Sequence, residues 1–340
     1  MAVRAALGVV VVSRRAALVR RLADGAFHSG EALARELGVT RAAVAKQVRA
    51  LETWGLQVDS VPRRGHRLRT PLDLLDAASL PDELAPATRG RLRRLEVHDE
   101  IDSTNSRLLA AGDLPAGRFD ACLAEWQSAG RGRRGRGWLA PFGGGLCLSF
   151  GWTFREPGSA LASLALAVGV AVLRALRALG VHDLRLKWPN DLLLDGRKLG
   201  GILCELRAEA SGPAYVVVGL GLNVRLAAEA AREVVERGGL PPASLSELTG
   251  FAVPRTRLAA CVLDELVAMA LEFERAGLAP FRDEWSAADA LADRPVTVLG
   301  HAGARHGVAR GIDASGELRV EIDGRLVVVT AGDVSLRAES

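Results

Sequence analysis

Cysteine and long hydrophobic runs are both scarce in this sequence. The four cysteines, Cys122, Cys147, Cys204 and Cys261, are scattered over 340 residues, with no Cys-x-x-Cys pair and no histidine at metal-ligand spacing. This pattern predicts buried free thiols in a reducing cytoplasm and no metal held by the protein alone. The longest apolar stretch, residues 160–173, contains a serine and a glycine and is shorter than the ~20 residues that a membrane helix needs. We therefore expect a buried helix there and no membrane partner.

The start of the chain does not have the pattern expected of a secretory signal. Residues 1–12 are apolar, but Arg4 interrupts them, Arg14 and Arg15 follow, and no small-residue cleavage site is present. Hydrophobic residues make up 49% of the chain and charged residues 25%, which is the balance of a soluble globular protein. These features exclude a disordered chain, a collagen and a small disulfide scaffold, and they favour a cytoplasmic location. At ~100–200 residues per domain, the length predicts two or three domains.

The net charge of +4 conceals an uneven distribution of charge. Residues 1–70 contain 13 Lys and Arg against 5 Asp and Glu, whereas the rest of the chain contains 31 against 35. One end is therefore basic and the body is slightly acidic. Localised positive charge of this kind is typical of a module that binds a polyanion.

The basic segment also has the pattern of a helix-turn-helix. A short helical run covers residues 16–23. Ser29 is placed to cap a helix over 30–37, and Thr40 is placed to cap a third helix over 41–54. The motif needs a small residue where the helices touch, a glycine in the turn and an apolar anchor on the second helix. These requirements are met by Ala34, Gly38 and Val44.

The exposed face of the third helix carries small and basic residues, which let a helix enter the major groove and reach phosphates or base edges. Two strands, 56–61 and 66–69, would form a basic wing beside it. We expect DNA contacts from the two caps, this face and the wing, that is, from Ser29, Thr40, Arg41, Ala42, Ala45, Lys46, Arg49, Arg63 and Arg64. The alternative is a solvated three-helix domain used for protein contacts.

The central part of the chain alternates short apolar runs with helical ones, which predicts α/β architecture. It follows a linker over 71–91 that contains one or two helical turns. The clearest helix covers 160–179. Strands are predicted at 119–126, 145–154, 184–187, 192–194, 201–206 and 215–219.

The last segment, from about residue 290, has the pattern of a small all-β unit. An Asp-Gly pair at 323–324 between alternating runs is a hairpin signal. Strands are predicted at 296–299, 304–312, 318–322 and 325–329.

The most unusual feature is the segment Gly130–Gly137, which places four arginines and four glycines in eight positions, followed by Trp138. Such a segment has no hydrophobic face and high backbone entropy, so alone it should be mobile. Its four guanidinium groups can chelate phosphate or carboxylate oxygens. We expect a flexible cationic loop that becomes ordered when an anionic ligand binds. An RNA-binding Arg-Gly tract is the alternative, but this segment lies between two predicted strands rather than in a tail.

Three further clusters could surround the same pocket. Asp102–Asn105 offers hydroxyl groups and an amide at a predicted helix start, which suit a polar, uncharged ligand group. Lys187–Asp191, with the sequence Lys-Trp-Pro-Asn-Asp, places a cation, an aromatic ring and an Asn-Asp pair after a strand. Arg197–Gly201 places a second lysine before two glycines that permit close backbone approach to a ligand.

These segments together resemble the biotin–protein ligase family, and with the N-terminal helix-turn-helix they resemble its bifunctional ligase and biotin operon repressor members. The resemblance runs from about residue 18 to residue 337. It implies an α+β multidomain protein with a winged helix-turn-helix at 1–70 and the linker at 71–91. The linker is followed by a mixed α/β ligase domain of the biotin/lipoate ligase type at 92–289. The implied architecture ends with a small SH3-like β-barrel at 290–340.

The resemblance also implies a two-step reaction that requires ATP and Mg²⁺, with biotin as a substrate. The biotin carboxylate attacks the α-phosphate of ATP, which gives biotinyl-5′-AMP and pyrophosphate. A lysine of the biotin carboxyl carrier protein of acetyl-CoA carboxylase then attacks this mixed anhydride, and AMP leaves. The family further implies a homodimer favoured by the adenylate, which binds operator DNA and represses biotin synthesis genes.

The residue roles that the resemblance implies form three overlapping groups. Two anions must meet in the first step, so cations must offset their repulsion. The catalytic candidates are Lys198, Arg133 and Lys187, and for Lys187 the alternative is a role in the transfer step. Biotin would contact Ser103, Thr104, Asn105, Gln127, Arg131, Gly132, Arg133, Lys198, Gly201, Leu203 and Gly219. The nucleotide and Mg²⁺ would contact Arg131, Arg133, Arg134, Arg136, Trp138, Asn190, Asp191, Lys198 and Asn223.

One departure from the family concerns the adenine. Well-known relatives cover it with a tryptophan in the loop that follows residues 219–223, but residues 225–250 contain no tryptophan, and Leu240 lies near the expected place. The first dozen residues are also extra relative to such proteins.

Two other functions remain as alternatives. One is a ligand-sensing transcription factor with weak or no ligase activity, against which the intact arginine-glycine loop and Lys198 argue. The other is a lipoate–protein ligase, which shares the central fold. The loop followed by Lys-Trp-Pro-Asn-Asp favours biotin.

Overall fold

The structure is a computed structural model that describes residues 6–7, 13–112, 114–156, 158–208, 212–226, 228–236, 240–248, 250, 253–300, 303–330 and 335–338. Ala6–Leu7 forms a two-residue strand, β1, which pairs in parallel with Arg94 and Leu95. The rest of the extra start of the chain lies outside the described residues.

The N-terminal unit is a winged helix-turn-helix, as predicted. Its helices and strands are α1 (Arg14–Leu22), α2 (Gly30–Glu36), α3 (Arg41–Ala50), β2 (Val58–Val61) and β3 (Gly65–Leu68). The hydroxyl of Ser29 accepts from Ala32 N, and that of Thr40 accepts from Ala43 N, so both predicted caps are confirmed. A 3-10 turn, Leu51–Trp54, continues α3.

The segment predicted as a linker contains two single-turn helices, α4 (Leu80–Glu83) and α5 (Pro86–Arg89). It does not lie free of the rest of the chain. Leu75, Leu80 and Leu84 are each at most 2% exposed and belong to the main hydrophobic core. The segment therefore packs as part of the central unit.

The central unit is a mixed sheet backed by long helices. Its elements are β4 (Leu92–Ile101), α6 (Thr104–Ala111), β5 (Phe119–Gln127), β6 (Gly145–Phe154), α7 (Leu164–Ala178), β7 (Leu184–Lys187), β8 (Asp191–Leu194), β9 (Arg197–Ala208), β10 (Ala214–Asn223), α8 (Ala228–Glu236), α9 (Arg255–Ala276) and α10 (Arg282–Ala287). The strand order is β1-β4-β5-β6-β10-β9-β8-β7. Strands β1, β4 and β5 pair in parallel, and the remaining neighbours pair antiparallel.

The long apolar stretch forms the buried helix that the sequence predicts. A 3-10 segment leads into α7, whose apolar residues are nearly all buried against α9 and the sheet. The combined helix Ala160–Ala178 is long and apolar enough to cross a membrane by length and composition, and 67% of its apolar 18-residue stretch is buried inside the protein.

The C-terminal unit is a five-stranded antiparallel sheet. Its strands are β11 (Pro295–Gly300), β12 (Gly303–Ile312), β13 (Leu318–Ile322), β14 (Arg325–Val329) and β15 (Ser335–Ala338). Four of them were predicted, and β15 was not. The order is β14-β13-β12-β11-β15, with no pairing between β14 and β15 among the described residues. The SH3-like barrel therefore stays a prediction.

An aromatic contact joins the N-terminal unit to the central sheet. The rings of Trp54 and Phe142 stack with centroids 4.5 Å apart, and Phe142 N donates to Trp54 O at 2.9 Å. Arg20 of α1 also pairs with the buried Asp99 of β4 at 2.6 Å. The two units therefore contact each other through both apolar and charged groups.

A buried ion pair connects the 71–91 segment, the sheet and α9. Arg255 Nη1 donates to Glu125 Oε2 at 2.6 Å, and the two side chains are 2% and 0% exposed. Glu125 Oε1 accepts from Leu75 N at 2.6 Å, and Arg255 Nη2 donates to Gly145 O at 2.6 Å. Since each charge is satisfied only by groups from other segments, this pair specifies how those segments pack.

Replacing Arg255 by methionine should destabilise the protein strongly, because Glu125 would remain buried without its counter-charge. We expect the free energy of unfolding to fall by about 3–5 kcal/mol, the usual cost of breaking one side of a buried pair. Urea unfolding followed by tryptophan fluorescence measures the change.

The matched control is Arg257→Met, two residues further along α9, where the pair with Glu83 is nearly half exposed. It should change the free energy of unfolding by at most about 0.5 kcal/mol. Equal unfolding curves for the two variants would contradict the role of the buried pair.

Candidate functional site

A set of buried polar side chains lies where β4 ends and α6 begins. Ser103, Thr104 and Asn105 are only 3–4% exposed, although all three are polar. Ser103 caps α6 by accepting from Ser106 N, and Gln127 Oε1 accepts from both Thr104 N and Thr104 Oγ1 at 2.9 and 3.1 Å. Buried polar groups held in this way present hydroxyl and amide atoms in fixed directions.

Asn105 reaches across the sheet to the central strands. Its Nδ2 donates to Glu205 Oε2 at 2.8 Å and to Leu203 O at 3.3 Å, and its Oδ1 accepts from Ser149 Oγ at 2.5 Å. Gly219 of β10 makes this position possible, because a Cβ at residue 219 would lie 2.4 Å from Asn105 Oδ1. The glycine is therefore required by the close approach of Asn105.

The arginine-glycine segment forms a short hairpin between β5 and β6. Arg131 and Gly137 pair antiparallel, and Trp138 N donates to Gly130 O at 2.8 Å. Arg131 Nη2 donates to Glu205 Oε2 at 2.9 Å, and Arg133 Nη1 donates to Asn190 Oδ1 at 3.2 Å. These contacts give the loop a defined position above the central strands, whereas its predicted mobility without ligand stays a prediction.

The ring of Trp138 lies against the backbone of β10. A Cβ at Gly221 would be 2.4 Å from this ring, so the absence of a side chain there lets the loop end pack on the sheet. Four residues further on, Phe142 makes the stacking contact with Trp54. The same stretch of chain therefore borders the site and contacts the N-terminal unit.

The turn between β7 and β8 brings the second set of charges to the site. Lys198 Nζ lies 2.6 Å from Asp191 Oδ1, and Asn190 Nδ2 donates to Ile202 O at 2.9 Å. The Lys187 side chain is 9% exposed. Trp188 Nε1 donates to Gly316 O at 3.0 Å, which connects this turn to the C-terminal unit.

One cavity of about 1010 Å³ joins all of these groups. Every residue that the sequence assigned to catalysis, biotin or nucleotide lines it, including Gly132, Arg134, Arg136, Gly201, Leu203 and Asn223. Its described lining contains eight Lys and Arg side chains but only two carboxylates, Asp191 and Asp289. Such a cavity is suited to an anionic ligand with a polar, uncharged end.

The sequence did not identify several lining residues. Arg185, Asp289 and Arg294 bring charge, and Val234 of α8 with Leu240 brings apolar surface. No local pattern marks Asp289 or Arg294, because they reach the cavity only through the packing of residues 288–290 against β7. Leu240, which lies near the position where well-known relatives have the adenine-covering tryptophan, also lines the cavity.

The surroundings perturb two of the charged groups. Burial, followed by the like charge of Arg134, lowers the pKa of Arg133. Burial raises the pKa of the Asp289 carboxyl to about 6. Burial is the largest cause of this shift in the pKa of Asp289, and no cation is among its other causes.

The residues assigned to DNA lie on the N-terminal unit. Arg41, Ala42, Lys46 and Arg49 of α3 are exposed, and Ala45 is half-buried. Arg63 and Arg64 are exposed at the tip of the β2–β3 wing, where Arg64 also lies 4.2 Å from the ring of Phe27. Ser29 and Thr40 serve as helix caps.

A group with possible metal ligands lies on β4 and β5, apart from the cavity. Glu96, His98 and Cys122 each offer one ligand atom, and these three atoms lie within 4.8 Å of one another. Arg107 donates to both oxygens of Glu96, at 2.7 and 2.9 Å, so this carboxylate is already engaged. Spacing along the sequence did not reveal the group, because it forms across two paired strands.

Three family models match the chain. The model of the Biotin/lipoate A/B protein ligase family matches residues 100–223, an HTH domain model matches residues 14–67, and the Biotin protein ligase C terminal domain matches residues 293–337. The first covers most of the segments that line the cavity.

Individual proteins match over most of the chain. It is 41% identical to the bifunctional ligase/repressor BirA of Salmonella typhimurium over 322 residues, which cover 94% of this chain and 97% of that protein. It is 40% identical to the biotin–[acetyl-CoA-carboxylase] ligase of Mycobacterium tuberculosis over 274 residues, covering 79% and 97%. The solved biotin protein ligase from Aquifex aeolicus in complex with biotin and ATP aligns with a TM-score of 0.60 and 27% identity, covering 73% of this chain and all of that one.

Replacing Gly219 by alanine should disturb the polar end of the cavity, because the new methyl group would overlap Asn105. We expect the Asn105 side chain to move away from Ser149 and the free energy of unfolding to fall by about 1–3 kcal/mol, as for other overpacked sites. A crystal structure of the variant and urea unfolding measure the two effects.

Gly137→Ala is the matched control, since Gly137 also lines the cavity but its added Cβ would meet only Gly130 O at 3.9 Å. This variant should retain the stability of the parent. An unmoved Asn105 in the Gly219 variant would contradict the close-approach argument.

Proposed function

This chain belongs to the biotin–protein ligase family, and we propose on that premise how its cavity carries out biotin activation and transfer. The protein is an ATP-dependent biotin ligase that also carries a helix-turn-helix repressor domain. The observation that carries the proposal is the single cavity in which a buried polar end meets eight cationic side chains.

We assign the polar end to the biotin head. Its ureido group is uncharged and needs fixed donors and acceptors, which Ser103, Thr104 and Asn105 supply from the start of α6. Gln127 orders this set through its contacts with Thr104. Buried polar groups reject ligands that leave them unpaired, so this arrangement supports selection of biotin. Gly132, Gly201 and Leu203 lie along the same wall.

The cationic end receives the two anions of the first step. The biotin carboxylate must approach the α-phosphate of ATP, and Lys198 with Arg133 and Arg131 offsets their repulsion and stabilises the charge that develops at phosphorus. Lys198 lies 2.6 Å from Asp191, so the ammonium is held in place by a group that itself borders the cavity. Lys187, Arg134 and Arg136 add positive charge around the phosphates.

Asp191 and Asn190 are the residues that would hold Mg²⁺, because carboxylate and amide oxygens are the donors that this ion prefers. Bound with ATP, the ion neutralises phosphate charge. Asn223 supports this part of the cavity by donating to Lys198 O and Ala243 O at 3.3 and 3.0 Å.

Adenine packs on aliphatic surface in this proposal, rather than on a tryptophan. Val234 of α8 and Leu240 line the cavity on the side of residues 228–242, and Leu240 is 37% exposed. Trp138 closes the cavity from the loop side by packing on Gly221.

In the second step the loop protects the adenylate and the acceptor lysine attacks it. The mixed anhydride is hydrolysable, so water has to be excluded until the carrier protein arrives. Closure of Gly130–Gly137 through the contacts of Arg131 and Arg133 fits this task. The acceptor is the biotin carboxyl carrier protein of acetyl-CoA carboxylase in our proposal.

The N-terminal unit gives the ligase a second function, which is repression of transcription. It binds operator DNA through α3 and the wing, and we propose that the adenylate favours a homodimer in which two such units contact a palindromic site. A ligand that binds the dimer-competent form more tightly shifts the equilibrium toward it. The contact between Phe142 and Trp54 places the loop end beside the DNA-binding unit, which supports coupling between them.

The proposal divides the chain into a DNA-binding unit at 1–70, a connecting segment at 71–91, a ligase unit at 92–289 and a C-terminal unit at 290–340. We further propose that the protein acts in the cytoplasm, where ATP, the carrier protein and DNA are all accessible.

The direct test is incubation with biotin, ATP, Mg²⁺ and a carrier domain, followed by mass measurement of the carrier. We expect the mass of one biotinyl group on one lysine. Biotin-dependent ATP–pyrophosphate exchange separates this function from a ligand sensor without ligase activity, which would show none. Lipoate in place of biotin separates it from a lipoate ligase, and a preference for lipoate would contradict the proposal.

Arg133→Ala should weaken retention of the adenylate, because the loop loses its contact with Asn190 and one cation beside the phosphate. We expect release of biotinyl-5′-AMP to be about 30-fold faster, which corresponds to about 2 kcal/mol. Filter binding with labelled adenylate measures the rate.

Arg207→Ala, which removes an exposed arginine of β9 outside the cavity, is the control and should release the adenylate at the parent rate. Unchanged retention in the Arg133 variant would count against the loop as a clamp.

Lys46→Ala and Arg41→Ala should weaken binding to duplex DNA from the promoter of the biotin synthesis genes and leave ligation intact. Each removes one phosphate contact, so the slope of log affinity against log salt should fall by about 1. Arg257→Ala removes the same charge from α9 and should leave DNA binding unchanged. Loss of ligation in the α3 variants would remove that helix from the DNA-binding role.

A further inference from the structure

Asp289 lies at the cavity in the connection between α10 and β11. The backbone around it is fixed to the sheet, because Leu186 N donates to Ala288 O and Ala290 N donates to Leu186 O, both at 2.8 Å. This pairing puts Asp289 beside the strand that ends at Lys187. The residue is 7% exposed and lines the cavity.

The carboxylate of Asp289 is only half satisfied. Its Oδ1 accepts from Leu291 N at 2.9 Å, whereas its Oδ2 is buried and has no hydrogen-bond partner. Burial, and to a smaller extent the like charge of Asp293, raises the pKa of this carboxyl to about 6, and no cation lowers it. An ionised carboxylate is costly to bury when one of its oxygens lacks a donor, so Oδ2 is expected to have a partner that arrives during function.

The charge of the cavity narrows the choice of partner. Of the two carboxylates among its described lining residues, Asp191 is engaged by Lys198 at 2.6 Å. Asp289 is therefore the lining carboxylate with a buried oxygen that still lacks a hydrogen-bond partner. For a cationic group that enters the cavity, Asp289 is the one carboxylate among the described lining residues that is not already paired with a cation.

The second step of the reaction brings such a group. The acceptor lysine arrives as an ammonium ion at neutral pH, is repelled by the cavity cations and must lose a proton before it can attack. A carboxylate with a pKa near the working pH suits both needs, since it attracts the ammonium and can accept its proton.

We propose that Asp289 receives the carrier lysine: its Oδ2 accepts a hydrogen bond from the incoming ammonium and takes one proton from it before attack. This inference rests on the proposed ligase function. The lysine Nζ then forms a bond to the acyl carbon of biotinyl-5′-AMP, and the bond between that carbon and the phosphate oxygen breaks with its electron pair going to AMP. The second amine proton goes to the departing phosphate, and Asp289 returns its proton to solvent.

The alternative partner is Mg²⁺, which demands near-octahedral coordination by several oxygens. The residues that follow Asp289 at the cavity wall, Ala290, Leu291 and Ala292, bring no side-chain oxygen. One available carboxylate oxygen in this surrounding fits a single ammonium better than a metal ion. The experiment below separates the two, because Mg²⁺ acts in the first step.

The test is Asp289→Asn, which keeps an oxygen for Leu291 N and removes the charge. Three rates are measured on the full chain: biotin-dependent pyrophosphate exchange, transfer of biotin to a carrier domain, and trapping of the adenylate by hydroxylamine. We expect transfer to fall about 100-fold or more. Exchange and trapping should stay near the parent values, since hydroxylamine is already a neutral nucleophile at pH 7. Retained exchange also shows that the variant folds.

Asp293→Asn is the matched control, because Asp293 lies on the same connection but is exposed and paired with Arg310. It should transfer biotin at the parent rate. Unchanged transfer by the Asp289 variant would overturn the inference and leave the ligase function standing. A parallel fall in exchange would also overturn it and assign Asp289 to the nucleotide side. A parent chain that forms no adenylate at all would overturn both proposals.

Discussion

Repulsion between like charges is the constraint on which this site depends. Eight cationic side chains share a cavity of about 1010 Å³ with two carboxylates, and two unit charges 4 Å apart near a protein surface interact by about 4 kcal/mol. Two of the positive charges are offset by ion pairs within the protein, because Lys198 pairs with Asp191 and Arg131 pairs with Glu205. Phosphate and carboxylate groups relieve the remainder. The cavity is therefore suited to hold two anions next to each other.

The backbone makes this concentration of charge possible. Gly219 and Gly221 leave room on β10 for Asn105 and for the Trp138 ring, so the polar end and the loop end both lie directly on the sheet. The chain then continues from Trp138 to Phe142, which stacks on Trp54 of the N-terminal unit. The segment from Trp138 to Phe142 therefore contacts both the loop and the DNA-binding unit, so movement of either one involves this segment. In the proposed function, this stretch of chain is the route by which ligand occupancy affects the DNA-binding unit.

The parts that could be predicted from sequence are those whose chemistry is local. The helix caps Ser29 and Thr40, the arginine-glycine loop and the Lys-Trp-Pro-Asn-Asp turn each act through residues that are neighbours in the chain. Strand β4 was not predicted because it carries Arg93, Arg94 and Glu96, whose shortest ion pairs are with residues outside the strand, Asp120 and Arg107. Asp289 escaped for the same reason, since only its pairing with β7 brings it to the cavity. The long helix α9 and strand β15 were also missed.

The central claim is that the cationic loop closes over an activated acyl phosphate and keeps it from water. Hydrogen exchange of the backbone amides in residues 130–138, measured by mass spectrometry with and without biotinyl-5′-AMP, tests it most directly. The account predicts strong slowing of exchange in this segment when the adenylate is bound, with little change in the solvent-exposed wing at 61–65. Equal exchange of the loop in the two states, with the adenylate demonstrably bound, would contradict the account.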